Sequence, residues 1–360
     1  MAREETRKEN HALRSITAVM MLFIALAHYH SQLEICGVLV NDVVYNVGRF
    51  VIPVFVLISG YFCYSKDGHS EGRLKQKALH ILILIVIYKV FYLVFTGVYC
   101  AAGIVSLDYL ITEFLIVSPE FLVDCFGGTV ALRSTQPIWF IYALFLIYGF
   151  WFLLYRYKID FKWSWLIAIP ILIVSLLFGE FLPMFHIYWI GDVEVSHVAG
   201  NLYPFIILPF FVIGYYMHKH REWIDARFSN GMIWALIFGG TALMIGEAYL
   251  VPESKIIYVG SLIVALSVFL GTFRVPEDRG RIPVLEYMGK YMSMWMYVFF
   301  AAADFAIRYA FQCFANDYVI CEMVGPLVAL ALDIAMAFAM HKILTALGGR
   351  KKQSAAAATA

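Results

Sequence analysis

Charge is the scarcest commodity in this chain. Asp, Glu, Lys and Arg make up 15% of the 360 residues and apolar types 62%, whereas a soluble domain carries about 25% charged residues. That deficit excludes an ordinary water-soluble globule. Cysteine is sparse too, at six residues, and no CxxC or histidine-rich ligand spacing occurs, so no metal centre is expected. No GxSxG elbow, HExxH helix or phosphate-binding glycine loop stands in a matching context, which removes the common soluble hydrolase, metalloprotease and NTPase frameworks. The net charge of +1 is spread along the chain rather than pooled, so no nucleic-acid partner is expected. An internal repeat is also missing, which weakens a reading as an inverted-repeat transporter.

What the chain does have is length of apolar sequence. Runs of about 20 residues, enough to cross about 30 Å of hydrocarbon, recur near 13–33, 46–64, 78–99, 137–155, 163–180, 201–217, 231–250, 256–273, 291–310 and 319–344. They predict an all-α, polytopic transmembrane bundle of about ten spans with membrane lipid as its solvent. The stretches 100–136 and 180–200 are marginal and suit short re-entrant or interfacial helices. The first run is too long for a signal-peptide core and is expected to remain as a helix. Residues 1–352 read as one membrane-embedded domain, and the alanine-rich 353–360 as a disordered tail or linker.

Lys and Arg orient the bundle, because cytoplasmic loops collect them. With the N-terminus inside, all 27 fall on the inner side except Arg49, Lys89, Arg133, Lys255 and Arg308. One missed helix would invert everything after it, so this split predicts both termini in the cytoplasm and a plasma-membrane, multi-pass location. Cys63 then sits at an inner helix end. Cys313 and Cys321 are placed to pair across the last outer loop, though Cys36 and Cys100, with Cys125, also lie toward that side and leave one thiol over.

Against this apolar background a few ionisable residues stand out. Arg14 and His28 are 14 residues apart, about 40° short of four full turns, so one helix face carries both. The rise between them is about 21 Å, which puts His28 in the outer half of the membrane. An ionisable group at that depth is a functional candidate, and histidine can take and return a proton near neutrality. A neutral histidine hydrogen-bonded between helices is the structural alternative; His30 lies nearer the surface. The second run begins RFVIPVFVLISGY, from Arg49 to Tyr61. Pro53 frees a backbone carbonyl and bends the helix; Ser59 and Gly60 admit close approach of a helix or a ligand; Arg49 can hold a hydroxyl, a carboxylate or a developing oxyanion. A snorkelling interfacial arginine is the plainer alternative for Arg49.

These features together resemble the membrane-bound acyltransferase-3 family, whose members carry an arginine and a histidine on the first helix and then Arg, Val-Pro-x-Phe and Ser-Gly-Tyr on the second. Here they are Arg14, His28, Arg49, Ile52-Pro53-Val54-Phe55 and Ser59-Gly60-Tyr61. The Arg14–His28 interval is longer than the family's, which counted from Arg14 would fall on Ala25. QPIWFIYALFLIY from Gln136 is similar to the family's Trp-Phe helix start. GKYMSMWMYVFF from Gly289 resembles its late helix with Ser293 and Tyr297 in phase, although Phe300 stands where many relatives have a histidine. The resemblance covers mainly residues 11–77, with looser echoes to about 300.

The resemblance implies an O-acyltransferase that moves an acyl group, most simply acetyl, from cytoplasmic acetyl-CoA to a hydroxyl of an extracytoplasmic glycan or cell-envelope acceptor. It implies His28 as the catalytic base and Arg49 as a catalytic electrostatic partner. Arg14, Arg73, Lys75 and Lys77 would hold the donor's phosphates, with Ser59 and Gly60 near its arm; no metal is implied. Lys75 and Lys77 replace the second arginine of the family's Arg-x-x-Arg pair, and positive-inside topology accounts for the same charges. Glu286 precedes the late helix at the inner side. Glu247, Asp304 and Asp333, with Lys89, lie within predicted spans and need partners. Glu247 or Asp304 could orient His28 as a carboxylate orients a triad histidine, with Asp304 preferred. Two other classes remain open: a transporter or flippase without covalent chemistry, which needs no CoA site, and a ligand-binding membrane sensor module.

Overall fold

The computed structural model describes residues 11–29, 34–35, 38–64, 70–108, 111, 139–158, 163–195, 198, 203–250, 257–275, 282–314 and 318–358. His30 and the stretch 112–138 lie outside them, as do the side chains of Arg73 and Trp139. The chain separates into two compact units. One comprises Met1–Gly48 and Thr272–Ala360; the other comprises Arg49–Gly271.

In the first unit α1 (His11–His28) is the central strut. A two-residue hairpin, β1 (Glu34–Ile35) with β2 (Val38–Leu39), leads into α2 (Val40–Val47). Against α1 pack α11 (Pro283–Tyr287), a π turn at Met288–Met292, and α12 (Ser293–Phe314). The long α13 (Tyr318–Ala358) lies along α12. Small residues make these approaches possible: Ala18 and Ala25 on α1, Ala303 on α12 and Ala337 on α13 are fully buried. Residues 353–358, expected to form a structureless tail, continue α13, as befits alanine, the strongest helix former.

The second unit runs through α3 (Val51–Tyr61), α4 (Ser70–Ala101), α5 (Trp139–Arg156), α6 (Ser164–Leu176), α7 (Ile207–Lys219), α8 (Arg221–Arg227), α9 (Asn230–Leu250) and α10 (Val259–Arg274). A π turn at Leu177–Phe181 extends α6. Beyond it, β3 (Trp189–Ile190) and β4 (Val193–Glu194) form a hairpin whose first turn residue, Gly191, has φ +59°, a conformation that favours glycine. α4 shows how the helices divide their faces. Leu79, Leu82, Ile83, Val86, Val90, Val94 and Val98 are exposed, while Ile81, Leu84, Ile85, Tyr88 and Tyr92 are buried. Both sets follow helical spacing, so one stripe meets protein and the other suits lipid.

Among the described residues, six helices are long and apolar enough to cross a membrane, and Phe140–Arg156 and Val259–Arg274 are shorter apolar helices. The two remaining predicted places are also helical. α7 has only 13 residues, and α12 carries Asp304 and Arg308 in its otherwise apolar sequence. The protein is thus an all-α membrane protein in its described part.

The segment that begins with Arg49 is built as anticipated, with its break in a definite place. A single 3-10 turn, Gly48–Phe50, separates α2 from α3. Pro53 has no N–H for the carbonyl of Arg49 four residues earlier and would crowd it, so the α-helical ladder restarts after Arg49. At the other end, the approach that Gly60 permits is taken by α7. A Cβ on Gly60 would collide with the carbonyl of Phe211, and one on Gly214 with the carbonyl of Leu57. The two glycines form a reciprocal, backbone-on-backbone crossing.

Gly60→Ala is therefore expected to destabilise the protein by at least ~1–3 kcal/mol through overpacking. Gly239→Ala, where an added methyl meets nothing within 4 Å, should be neutral or stabilising by up to ~1 kcal/mol. Thermal unfolding in detergent compares them; equal midpoints would refute the tight crossing.

Candidate active site

His28 is the last residue of α1. Its Nδ1 lies 2.8 Å from the carbonyl oxygen of Ile24. A carbonyl can only accept, so Nδ1 carries the hydrogen, and in the neutral form of the ring Nε2 is the basic nitrogen. The ring is steadied by Phe300, at 5.1 Å between centroids, and meets Tyr45 edge-on at 6.3 Å. Phe300 is itself buried and contacts Tyr297. The place where a second histidine was sought is thus an apolar wall against the first.

The late-helix pattern explains how α12 is seated. A Cβ at Gly289 would strike the carbonyl oxygen of Arg14, so the π turn rests directly on the α1 backbone. One turn on, the Ser293 hydroxyl donates to the Gly289 carbonyl at 3.0 Å. Tyr297 follows, then Phe300 at His28. The residues that looked like a motif therefore run along α1 from Arg14 to His28.

Arg14 does not stand by itself at the start of α1. Its Nη1 is 3.5 Å from Oε1 of Glu286, which His11 Nδ1 also reaches at 2.7 Å. Glu286 is buried. At the other end of α12, Asp304 is held by Arg308 of the next turn at 2.7 Å. The hydrogen bond at Nδ1 of His28 is made to the Ile24 carbonyl, one turn back on the same helix. Asp333 is fully buried, and its carboxylate oxygens meet no hydrogen-bond partner among the described residues.

The second unit holds a separate polar centre around Arg49. Its guanidinium lies over the Tyr258 ring, 4.4 Å from the centroid, a cation–π contact with a fully buried aromatic. The charge of Arg49 also acts on Glu180, which sits in the π turn that ends α6. Glu180 accepts a hydrogen bond from the Val259 N–H at 2.9 Å, and Glu247 accepts one from the Gly260 N–H at 2.8 Å. These N–H groups open α10, where a helix leaves its donors unsatisfied and favours negative charge.

Of the residues expected near a donor, Ser59 and Gly60 lie toward the end of α3 and Lys77 reaches Cys63 just beyond it. Ser59 donates to the Phe55 carbonyl at 2.9 Å, and Gly60 is the crossing point with α7. Lys75 is exposed. The amine of Lys77 is 3.5 Å from the Cys63 sulfur and 5.4 Å from the Tyr148 ring centroid. Close by, the His218 ring stacks on Tyr61 at 4.1 Å and donates from Nδ1 to the Tyr61 carbonyl at 2.7 Å, while Arg221 Nη1 reaches the Tyr61 hydroxyl at 3.4 Å.

A family model described as an acyltransferase domain, that of acyltransferase-3, matches residues 10–340. The chain belongs to the acyltransferase-3 family. No curated protein and no solved structure gives a match. Membership makes the chain a membrane acyltransferase in general terms, and it spans both units described above.

Sequence reasoning about this acyltransferase missed Glu180, Tyr258 and His11, together with the partnership of Glu247. Glu180 offered a signal, an acid at the end of an apolar run, but it bordered a stretch read as marginal. Tyr258 and His11 offered none, since their roles depend on chain segments far away in sequence.

Glu286→Ala should destabilise the acyltransferase by ~3–5 kcal/mol, because it leaves the Arg14 guanidinium and the His11 ring without this buried acceptor. Arg308→Ala, at a half-exposed guanidinium, should cost under about 1 kcal/mol. Chemical or thermal unfolding of the two variants in parallel checks the contrast; a reversed order would refute it.

Proposed function

We propose that this acyltransferase moves an acetyl group from cytoplasmic acetyl-CoA to a hydroxyl of an extracytoplasmic carbohydrate or other cell-envelope acceptor, working in the plasma membrane. The observation that carries the reading is the fixed tautomer of His28. With its hydrogen on Nδ1 committed to Ile24, the neutral imidazole has Nε2 as the base for an acceptor hydroxyl. The oxygen then attacks the thioester carbonyl, the acyl–sulfur bond breaks, and the proton taken by His28 passes to the departing thiolate. Atoms and charge balance without a metal or a redox partner.

Arg49 keeps the role of catalytic electrostatic partner that the family resemblance implies. Its cation–π contact with Tyr258 fixes the direction of the guanidinium. Asp304, paired with Arg308, lies one turn beyond Phe300 and tunes the field around the histidine. The donor's phosphates are assigned to the cationic surface at the far end of α3. Lys75 and Lys77, with Arg73, are assigned to those phosphates as the family resemblance implies. Lys219 and Arg221 follow His218 at the end of α7 and add charge to the same region. Arg14, shared with Glu286, has a weaker claim than these to a phosphate, since phosphate would have to compete with a buried carboxylate.

The test uses purified protein and acetyl-CoA labelled in the acetyl group. Wild type should release CoA slowly with water as acceptor and faster with a hydroxyl-bearing glycan. His28→Ala should lose about 100-fold or more in turnover, in keeping with removal of a general base, while still binding the donor. Equal turnover in the variant would remove His28 from the chemistry. A verified fold that binds no acetyl-CoA would shift the reading to transport.

A further inference from the structure

α6, its π turn and the helical turn after it make one apolar span, Ser164–Met184, of 21 residues. At 1.5 Å per residue it is about 31 Å long, the thickness of a bilayer's hydrocarbon. Leu166, Ile169, Ile173, Leu177, Phe181 and Met184 recur along it every three or four residues and all are exposed, so they form its lipid-facing stripe. The stripe does not stop where the helix stops. Phe185, Tyr188, Trp189, Ile190 and Val193 continue it, with Phe185 at 70% and Trp189 at 60% exposure. Trp163, immediately before the span, is exposed as well. Tryptophans at both ends of a span of this length mark the two membrane–water interfaces.

The chain beyond Met184 is folded in a way that keeps it at that interface. The His186 N–H donates to the Pro183 carbonyl and the Ile187 N–H to the Leu182 carbonyl, both at 2.9 Å, and His186 has φ +58°. A left-handed residue with these two bonds closes a helix and satisfies its last carbonyls from within the chain. The Val195 N–H then donates to the Tyr188 carbonyl at 2.9 Å, framing the hairpin of β3 and β4. Each strand of a two-stranded hairpin keeps one unpaired edge, and such edges do not occur in hydrocarbon, so the hairpin stays out of the acyl core. Its arm from Ile187 to Ile190 covers about 10 Å at 3.3 Å per residue, against about 5–8 Å for the headgroup layer on each side of a bilayer, so it does not stand clear of that layer either. The register pairs Ile190 with Val193 on one face and Trp189 with Glu194 on the other. Between Phe185 and Val195 there are two acids, Asp192 and Glu194, and no Lys or Arg, so anionic headgroups gain nothing here.

We propose that the Phe185–Val195 hairpin is a membrane anchor seated in the headgroup layer, among zwitterionic lipids, on the outer leaflet in the orientation that the Lys and Arg distribution predicts. It ties the end of α6, and with it the π turn that holds Glu180, to the interface.

The experiment uses the full chain in phosphatidylcholine vesicles, as wild type and as Trp189→Phe, a conservative change at an exposed ring. The emission difference between the two isolates Trp189 from the other seven tryptophans. Phosphatidylcholine brominated on acyl carbons close to the headgroup should quench most of that difference, and lipid brominated near the acyl terminus much less. The quenching should not change when phosphatidylglycerol replaces part of the lipid. Absence of quenching by either brominated lipid would overturn the anchor, and shielding of Trp189 from iodide by a soluble glycan would then assign the hairpin to an acceptor. Stronger quenching by the deep bromines would overturn the headgroup seat, and a gain with phosphatidylglycerol would overturn the zwitterionic partner. The leaflet is read from Asp192→Cys in sealed spheroplasts with a membrane-impermeant maleimide. Labelling above the wild-type level without lysis is expected; a gain only after lysis would overturn the outer leaflet.

Discussion

An ionised side chain in hydrocarbon costs ~2.5–3.5 kcal/mol even on the lower scales, and the polar architecture of this acyltransferase is shaped by that cost. Its charges are gathered into small sets rather than scattered along the helices. Arg14 and His11 share Glu286; Asp304 holds Arg308; Glu180, at the head of α10, lies in the field of Arg49. Each set brings together groups within one of the two compact units. Two of them draw their members from positions hundreds or scores of residues apart, so forming the set and folding the helices are one event. Asp333 departs from this rule, as a buried acid without a hydrogen-bond partner among the described residues, and nothing in the structure explains it.

Two π turns carry much of this arrangement. A π turn inserts an extra residue into a helical ladder and is frequent at functional sites. One of them holds Glu180, and so sets where that acid meets the head of α10; the other holds Gly289, and so lets α12 settle on the backbone of α1. Neither can be seen in a hydropathy profile, because the apolar content of the run does not change when its ladder widens by one residue.

This difference defines what could be read in advance. The helical class followed from scarcity of charge and from run length, and the family from the residues around Arg49 and Ser59. The break before α3 could be placed from Pro53 alone, since a missing N–H and a crowded carbonyl are local facts. Gly60 was legible as a close-approach residue but not as half of a pair, because Gly214 lies far along the chain. The same holds for the candidate site. His28 and Arg49 announce themselves as ionisable groups in apolar sequence, whereas their surroundings are assembled from Ile24, Phe300, Tyr258 and Glu180. Asp304 was chosen by type and depth as a carboxylate that could orient His28. A carbonyl one turn back on the same helix needs no tertiary contact to reach it, and sequence inspection seldom credits backbone acceptors.

The glycine crossing of α3 and α7 has a mechanical meaning. Most helix pairs are separated by interleaved side chains that can change rotamer and let one helix slip past the other. Here carbonyl groups abut α-carbons in both directions, with nothing soft between them. Sliding along the axis would drive a carbonyl into the next residue's Cβ, so α3 and α7 behave as one beam. One tip of that beam follows Arg49; the other carries Tyr61 and His218, beside Lys77 and Cys63. A push at one tip is delivered to the other as displacement rather than being absorbed on the way.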